Sequence, residues 1–308
     1  MTSRNLDNPA AHQLFELTDN GSGGWLQTEK RRLKFYIRYW LCQKQLLCIR
    51  HFFAEHGLSE LIQTQPRLGL RPLRPYLWGD LNASTRMQTM LAHFEWLLAH
   101  YAQENILDFY KRNFHVLFTQ SYADNVISIE LGPGRALGRE GEFELHLKLN
   151  TVSVMRTAFS ILPNHLVGVP ESGFVMVVGN MQGRRQLNQE IKTVTQKMER
   201  TRPQNILMTA LQGLASGWQL SAMVGVSDAA HVYTSYRSLS QRVGQSYDSL
   251  WAELGATGAV SKSHWNLPIE WVARSEQEVP SNKRSQLRRK NEIRQKIFDE
   301  VVRNCHQL

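Results

Sequence analysis

The chain has 308 residues, 42% hydrophobic and 20% charged, which is the balance of a globular protein and excludes disorder of the whole chain. Its net charge of +9 favours partners that carry phosphate or other anionic groups. Its three cysteines, Cys42, Cys48 and Cys305, form no CxxC pair, which argues against a disulfide scaffold or zinc site and fits a reducing compartment.

Residues 1–28 read as a loosely ordered segment, with Gly21-Ser22-Gly23-Gly24 as a hinge and no apolar stretch after a basic start. No later run approaches the ~20 apolar residues of a transmembrane helix. The expected location is therefore the cytoplasm. Residues 29–111 read as helical. A first pattern ends at Gly57, and Cys42 and Cys48 within it read as core residues. A proline-punctuated extended stretch follows at Gln65–Tyr76. Asn82 or Ser84 then caps a helix to about Gln103, and another helical stretch reaches Lys111.

Residues 112–280 change period. His115–Gln120, Val126–Leu131, Glu142–Leu149, Val152–Leu162 and Phe174–Val178 read as strands with short turns, an antiparallel meander. Val175–Val178 is continuously apolar, as in a strand buried on both faces. Two helical segments, Leu187–Glu199 and Pro203–Trp218, then lead to a strand at Leu220–Val226, a crossover that makes a parallel pair. A short helix around Tyr247–Leu254, a strand around Asn266–Val272 and a basic helix over residues 281–308 complete an α+β (α/β) fold.

Four motifs in order identify a family. Arg71-Pro72-Leu73-Arg74-Pro75-Tyr76-Leu77, Gly138-Arg139-Glu140-Gly141-Glu142, Gly179-Asn180-Met181-Gln182-Gly183 and Tyr247-Asp248-Ser249-Leu250-Trp251 resemble those of the bacterial VirK/YbjX family over roughly residues 60–290. The resemblance implies links to virulence, envelope remodelling and tolerance of antimicrobial peptides. The element order also resembles the acyl-CoA-binding core of the GNAT N-acyltransferase superfamily, and Gln182-Gly183-Arg184 resembles part of its pyrophosphate-binding pattern.

Three candidate sites emerge. The first is Gly179–Arg185, read as a glycine loop opening a helix. There backbone N–H groups would cradle a phosphate, with Gln182, Gly183, Arg184 and Arg185 holding acyl-CoA or another phosphorylated ligand. An ordinary tight turn is the alternative. The second joins Glu140 to Glu142, Glu144 and His146, of which the last three share one face of a strand. Glu140, Glu142 and His146 would serve acid–base chemistry or hold a metal, and a solvated strand face is the alternative. The third is Asp228, His231 and Tyr233 beyond the Leu220–Val226 strand, with a capping Asp as the alternative. The GNAT resemblance adds Tyr247 or a neighbouring tyrosine as a general acid.

No GxSxG elbow, Walker loop or HExxH appears, so serine hydrolase, P-loop and zincin readings are poor. Of the +9, a net +5 lies in residues 281–308, which carry eight basic and three acidic residues, and Lys30-Arg31-Arg32 with Lys34 is a second basic knot. Two functions stand beside each other: a GNAT-like acyltransferase, and an accessory factor peripheral to the inner membrane through residues 281–308. Nucleic-acid binding rests on charge alone.

Overall fold

The computed structural model describes residues 9–19, 24–112, 114–184, 186–234 and 246–307. Among the described residues, six helices and one 3-10 segment precede the sheet, the first of them α1 (Pro9–Thr18), α2 (Trp25–Leu41), α3 (Gln43–Glu55), α4 (Ser59–Thr64), the 3-10 segment (Leu68–Leu73) and α5 (Ala83–His100). Part of the stretch expected to be loosely ordered is thus helical. Phe15 of α1 packs edge-on against Phe35 of α2 at 5.6 Å, and this apolar contact orders α1. Asn82 caps α5 by accepting a hydrogen bond from Thr85 N (3.0 Å). The helix α6 (Gln103–Lys111) leads into the sheet.

Strands β1 (His115–Tyr122), β2 (Asn125–Pro133), β3 (Phe143–Leu149), β4 (Val152–Pro163) and β5 (Phe174–Gly183) form the expected antiparallel meander. Helices α7 (Asn188–Lys197) and α8 (Pro203–Gly217) cross over to β6 (Ala222–Val226), which pairs parallel to β5 from Val175↔Ala222 to Val178↔Gly225. A final short helix, α9 (Tyr247–Glu253), precedes β7 (Gly258–Ala259) and β8 (His264–Asn266). The sheet order is β1-β2-β3-β4-β5-β6-β8-β7. The strand expected at Asn266–Val272 ends at Asn266, two residues before Pro268, which has no N–H to give to a ladder.

One face of the sheet is apolar. Phe143 and Phe159 stack there on Trp218 of the α8 C-terminus, and Trp96 of α5 and Phe109 of α6 close over Phe143. The basic helix α10 (Ser281–Asn304) is part of this core. Ile297, Val301 and Cys305 are fully buried, and the small Gly213 and Gly217 of α8 let the two helices approach. Of its cations, Arg288 pairs with Glu276, Arg289 with Glu199, and Lys296 donates to Gln120. Cys42 is buried as expected but Cys48 is exposed, because it lies on the outer face of α3. Among the described residues, no helix is long and apolar enough to cross a membrane.

His93 of α5 lies within the apolar layer. Its Nδ1 accepts a hydrogen bond from Ile161 N (3.1 Å), which leaves the ring proton on Nε2. Burial lowers its pKa to about 4, and burial lowers that of His264 to about 4 beside Trp78. An unfolded histidine titrates near ~6.5, so between that pH and about 4 the unfolded chain binds more protons than the folded one. Stability contributed by these two groups is therefore full above pH ~6.5 and is lost as pH falls through that window, by roughly 3 kcal/mol for each. Urea unfolding at a series of pH values should show this decline. His93→Asn, which keeps an acceptor for Ile161, should make it shallower; an unchanged pH slope would reject the assignment.

Candidate active site

The opposite face of the sheet is polar but not solvated. Glu142, Glu144 and His146, expected on a solvated or a catalytic face, are all buried. The Arg71 guanidinium reaches down from the 3-10 segment and holds Glu142 in a two-pronged pair, Nε to Oε1 at 2.8 Å and one terminal nitrogen to Oε2 at 2.9 Å. Burial opposes the charge on Arg71, but the adjacent Glu142 carboxylate outweighs it, and the net shift of the arginine pKa is upward. Glu144 accepts from Leu137 N (2.5 Å) and pairs with His146 Nε2 at 3.0 Å. Glu142 and His146 are thereby placed in buried pairs outside the cavity described next.

The Gly138–Glu142 turn that carries these groups lies flat on the sheet. A Cβ on Gly141 would stand 2.3 Å from Phe159 N, and one on Gly179 would stand 1.9 Å from Glu140 O. Only glycine at both positions permits this approach. Gly179 sits at a bulge where β4 and β5 change register between Ala158 and Phe159. The Gly179–Gly183 stretch is therefore not a loop opening a helix. It continues β5 in pairing with β4 to Met155↔Gly183, and α7 begins only at Asn188. This pairing occupies the β4-facing edge of its backbone, while the pairing of β5 with β6 on the other edge stops at Val178↔Gly225.

What the turn does form is the floor of a cavity of about 860 Å³ at the carboxyl ends of the parallel pair. Among the described residues, seven arginines line it: Arg67, Arg71 and Arg74 from the helical side, Arg135 and Arg139 from the turn, Arg156 of β4 and Arg184 beyond β5. Among the described residues, Glu140 is the one carboxylate in the lining, which otherwise includes Gln182, Gly183, His231, Tyr233 and Tyr247. Of the expected ligand-binding residues, Gln182, Gly183 and Arg184 line this cavity, whereas Arg185 lies outside the described residues. Arg156 and Gln182 are cross-strand partners, and His146 is the partner of Arg156 on the other side. Arg71 and Arg135 serve the wall, through Glu142 and the Tyr110 carbonyl. Among the described residues, no hydrogen bond or ion pair engages the Arg156 or Arg184 guanidinium.

Glu140 and His231 form a buried acid–imidazole pair in the cavity, with Nε2 to Oε1 at 3.2 Å and each side chain 2% exposed. His231 Nδ1 accepts from Tyr233 N (3.4 Å), so a neutral ring carries its proton on the Nε2 that faces Glu140. The second carboxylate oxygen, Oε2, is buried without a hydrogen-bond partner among the described residues. Tyr247 stacks on His231 at 4.7 Å and 14°. Burial, then the nearby Glu140 charge, raises the Tyr247 pKa, so the phenol keeps its proton. Asp228 has the capping role: it accepts from Tyr247 N (2.7 Å) and Ser246 Oγ (2.6 Å) at the start of α9.

Sequence reasoning placed His231 in a separate candidate from Glu140; 91 positions divide them. It also missed Arg67, Arg135 and Arg156 as cavity residues. Arg156 carried one usable signal, a cation in the middle of an otherwise apolar and hydroxyl strand. Removing the Arg71 side chain leaves Glu142 charged and buried, so Arg71→Ala should destabilise the fold by about 3–5 kcal/mol. The urea midpoint should drop with the slope unchanged; a loss below ~1 kcal/mol would mean that Glu142 finds another partner.

All four motifs meet at this cavity: Leu77 N donates to Arg139 O (2.7 Å), the Glu140 backbone covers Gly179, and Tyr247 stacks on the imidazole that pairs with Glu140. The family described as "Protein of unknown function (DUF535)" matches residues 24–305. The chain is 24% identical to the uncharacterized protein YbjX of Escherichia coli (strain K12) over 253 residues, which cover 77% of this chain and 72% of that one. It is 23% identical to an uncharacterized protein of Haemophilus influenzae over 293 residues, 92% of each chain. No solved structure matches. The family expected from the four motifs and the match across nearly the whole chain agree, and the chain belongs to the VirK/YbjX (DUF535) family.

Proposed function

We propose that the cavity binds a phosphorylated ligand and that the protein is a GNAT-like acyltransferase with acyl-CoA as donor, acting on an amine or other envelope component. The observation that carries this reading is the arginine-lined cavity at the carboxyl ends of the single parallel strand pair. Ligands of open α/β sheets collect at that position. The meander, helical crossover and parallel pair on which the GNAT resemblance rests support the donor class.

The phosphates would be held by side chains and not by a glycine loop. Among the described residues, no partner competes for the donors of Arg156, Gln182 and Arg184, and guanidinium groups match phosphate geometry in two-pronged fashion. Glu140 Oε2 would accept the proton of the attacking amine, with His231 positioning the carboxylate through Oε1. The C–N bond forms as the C–S bond breaks, and Tyr247, protonated at neutral pH, would give its proton to the departing thiolate. Glu142 and His146 have structural roles in this scheme, since each is engaged in a buried pair.

Calorimetric titration with acetyl-CoA and with a long-chain acyl-CoA tests the binding step. Arg156→Ala and Arg184→Ala should each weaken binding roughly 10-fold to 100-fold, the worth of a charge-assisted hydrogen bond. Glu140→Gln should preserve donor binding and abolish thiol release in the presence of an amine acceptor. Absence of binding heat and of a thermal shift with either donor would overturn the reading.

A further inference from the structure

Helices α2 and α3 meet at the single residue Cys42 and present an unusual outer face. Trp25, Leu26, Leu33, Ile37, Trp40, Leu41 and Leu47 are each at least 50% exposed. At 3.6 residues per turn, Leu26, Leu33, Ile37 and Trp40 fall within one ~60° sector of α2. The opposite side of the same helix carries the buried Phe35 and Tyr39. The stripe is therefore not the core-facing side of α2 but a second apolar face that the described fold leaves uncovered.

Its borders are basic. Lys30, Lys34 and Arg38 follow one border and Lys44 stands on α3, all exposed, while Glu29 on the other border is paired with Arg32. Trp40 stands in the stripe and the exposed Trp25 beside it at the start of α2, and the indole ring suits a boundary where one edge is apolar and the other wet. An apolar helix face with tryptophans and flanking lysines is the chemistry of a helix lying in the headgroup layer of an anionic bilayer. The other basic helix lacks this combination. Among the large hydrophobics exposed on the described residues, none belongs to α10. Several cations of α10 are paired, and its apolar stripe is spent on α8.

We infer that the outer face of α2–α3 docks the protein onto anionic lipid membranes. The inference stands apart from the acyltransferase reading and says where the protein works. Phe35 on the inner side of α2 and Thr18 of α1 line the arginine cavity. A membrane-bound α2 would hold that cavity next to the lipid surface, within reach of phosphorylated or amine-bearing headgroups.

Flotation of the full chain with vesicles tests this, using phosphatidylglycerol mixed with phosphatidylcholine against phosphatidylcholine alone. The wild type should float with the anionic vesicles, and high salt should weaken binding. Leu33→Glu combined with Ile37→Glu should reduce binding about 10-fold to 100-fold. The thermal midpoint should stay unchanged, because both side chains already face solvent. Lys30→Glu with Lys34→Glu should act on anionic vesicles alone, and bromine-labelled lipid should quench tryptophan emission in the wild type but not in the Leu33/Ile37 variant. Wild-type protein that stays unbound would overturn the inference, as would equal flotation of the Leu33/Ile37 variant. A vesicle-independent dimer broken by those same substitutions would assign the stripe to a second copy of the chain instead. Acyl-CoA titration of the Leu33/Ile37 variant should match wild type whichever result appears, which separates this surface from the cavity.

Discussion

The Glu140–Glu142 turn must lie on the sheet with no side chain between them. Gly141 meets the Phe159 backbone and Gly179 meets the Glu140 carbonyl at distances that no Cβ tolerates. Once the turn is pressed flat, its two carboxylates diverge. Glu142 points to Arg71 and Glu140 points to His231. One ties the N-terminal helical region to the sheet, and the other faces the cavity. Replacing a buried pair by apolar groups is often neutral for net stability, whereas breaking it is costly. Its contribution here is positional: it sets where the 3-10 segment sits, and so where Arg67, Arg71 and Arg74 enter the cavity wall.

That placement explains why an arginine-rich cavity is compatible with a stable fold. Seven guanidinium groups around one carboxylate would repel one another if all faced the same space unpaired. Part of the set is committed to the walls, Arg71 to Glu142 and Arg135 to the Tyr110 carbonyl. Arg156 and Arg184 enter from the sheet side with their donors uncommitted among the described residues. The cavity thus separates cations that build it from cations that can receive an anion. The uncommitted ones stand beside Gln182 and Gly183, at the end of β5, where the chain turns toward the crossover helices.

The exposed apolar stripe and the cavity share one helix. Residues of α2 alternate between the two by helical periodicity, with Phe35 inward and Leu33 and Ile37 outward. Sequence inspection sees only an apolar segment interrupted by lysines, because both faces are rich in apolar residues. Which of them is covered depends on where α1 and the 3-10 segment pack.

The sequence by itself determined the meander, the crossover and the parallel pair, because alternation, an uninterrupted apolar run and Pro203 at a helix start are local signals. It also determined that four short motifs matter and in which order they come. Tertiary structure decided what each motif does. Gly179–Gly183 looked like a phosphate loop because glycines and a following helical pattern suggest one. The strand instead runs on, since β4 is long enough to pair with it to Gly183. Glu142 and His146 alternate as on a solvated face, yet both are buried: Arg71, 71 positions earlier, covers Glu142, and the Phe114 ring packs on His146 at 4.5 Å. The joining of Glu140 to His231 depends on a contact between a turn and the end of a distant strand, and no local periodicity encodes a contact of that kind.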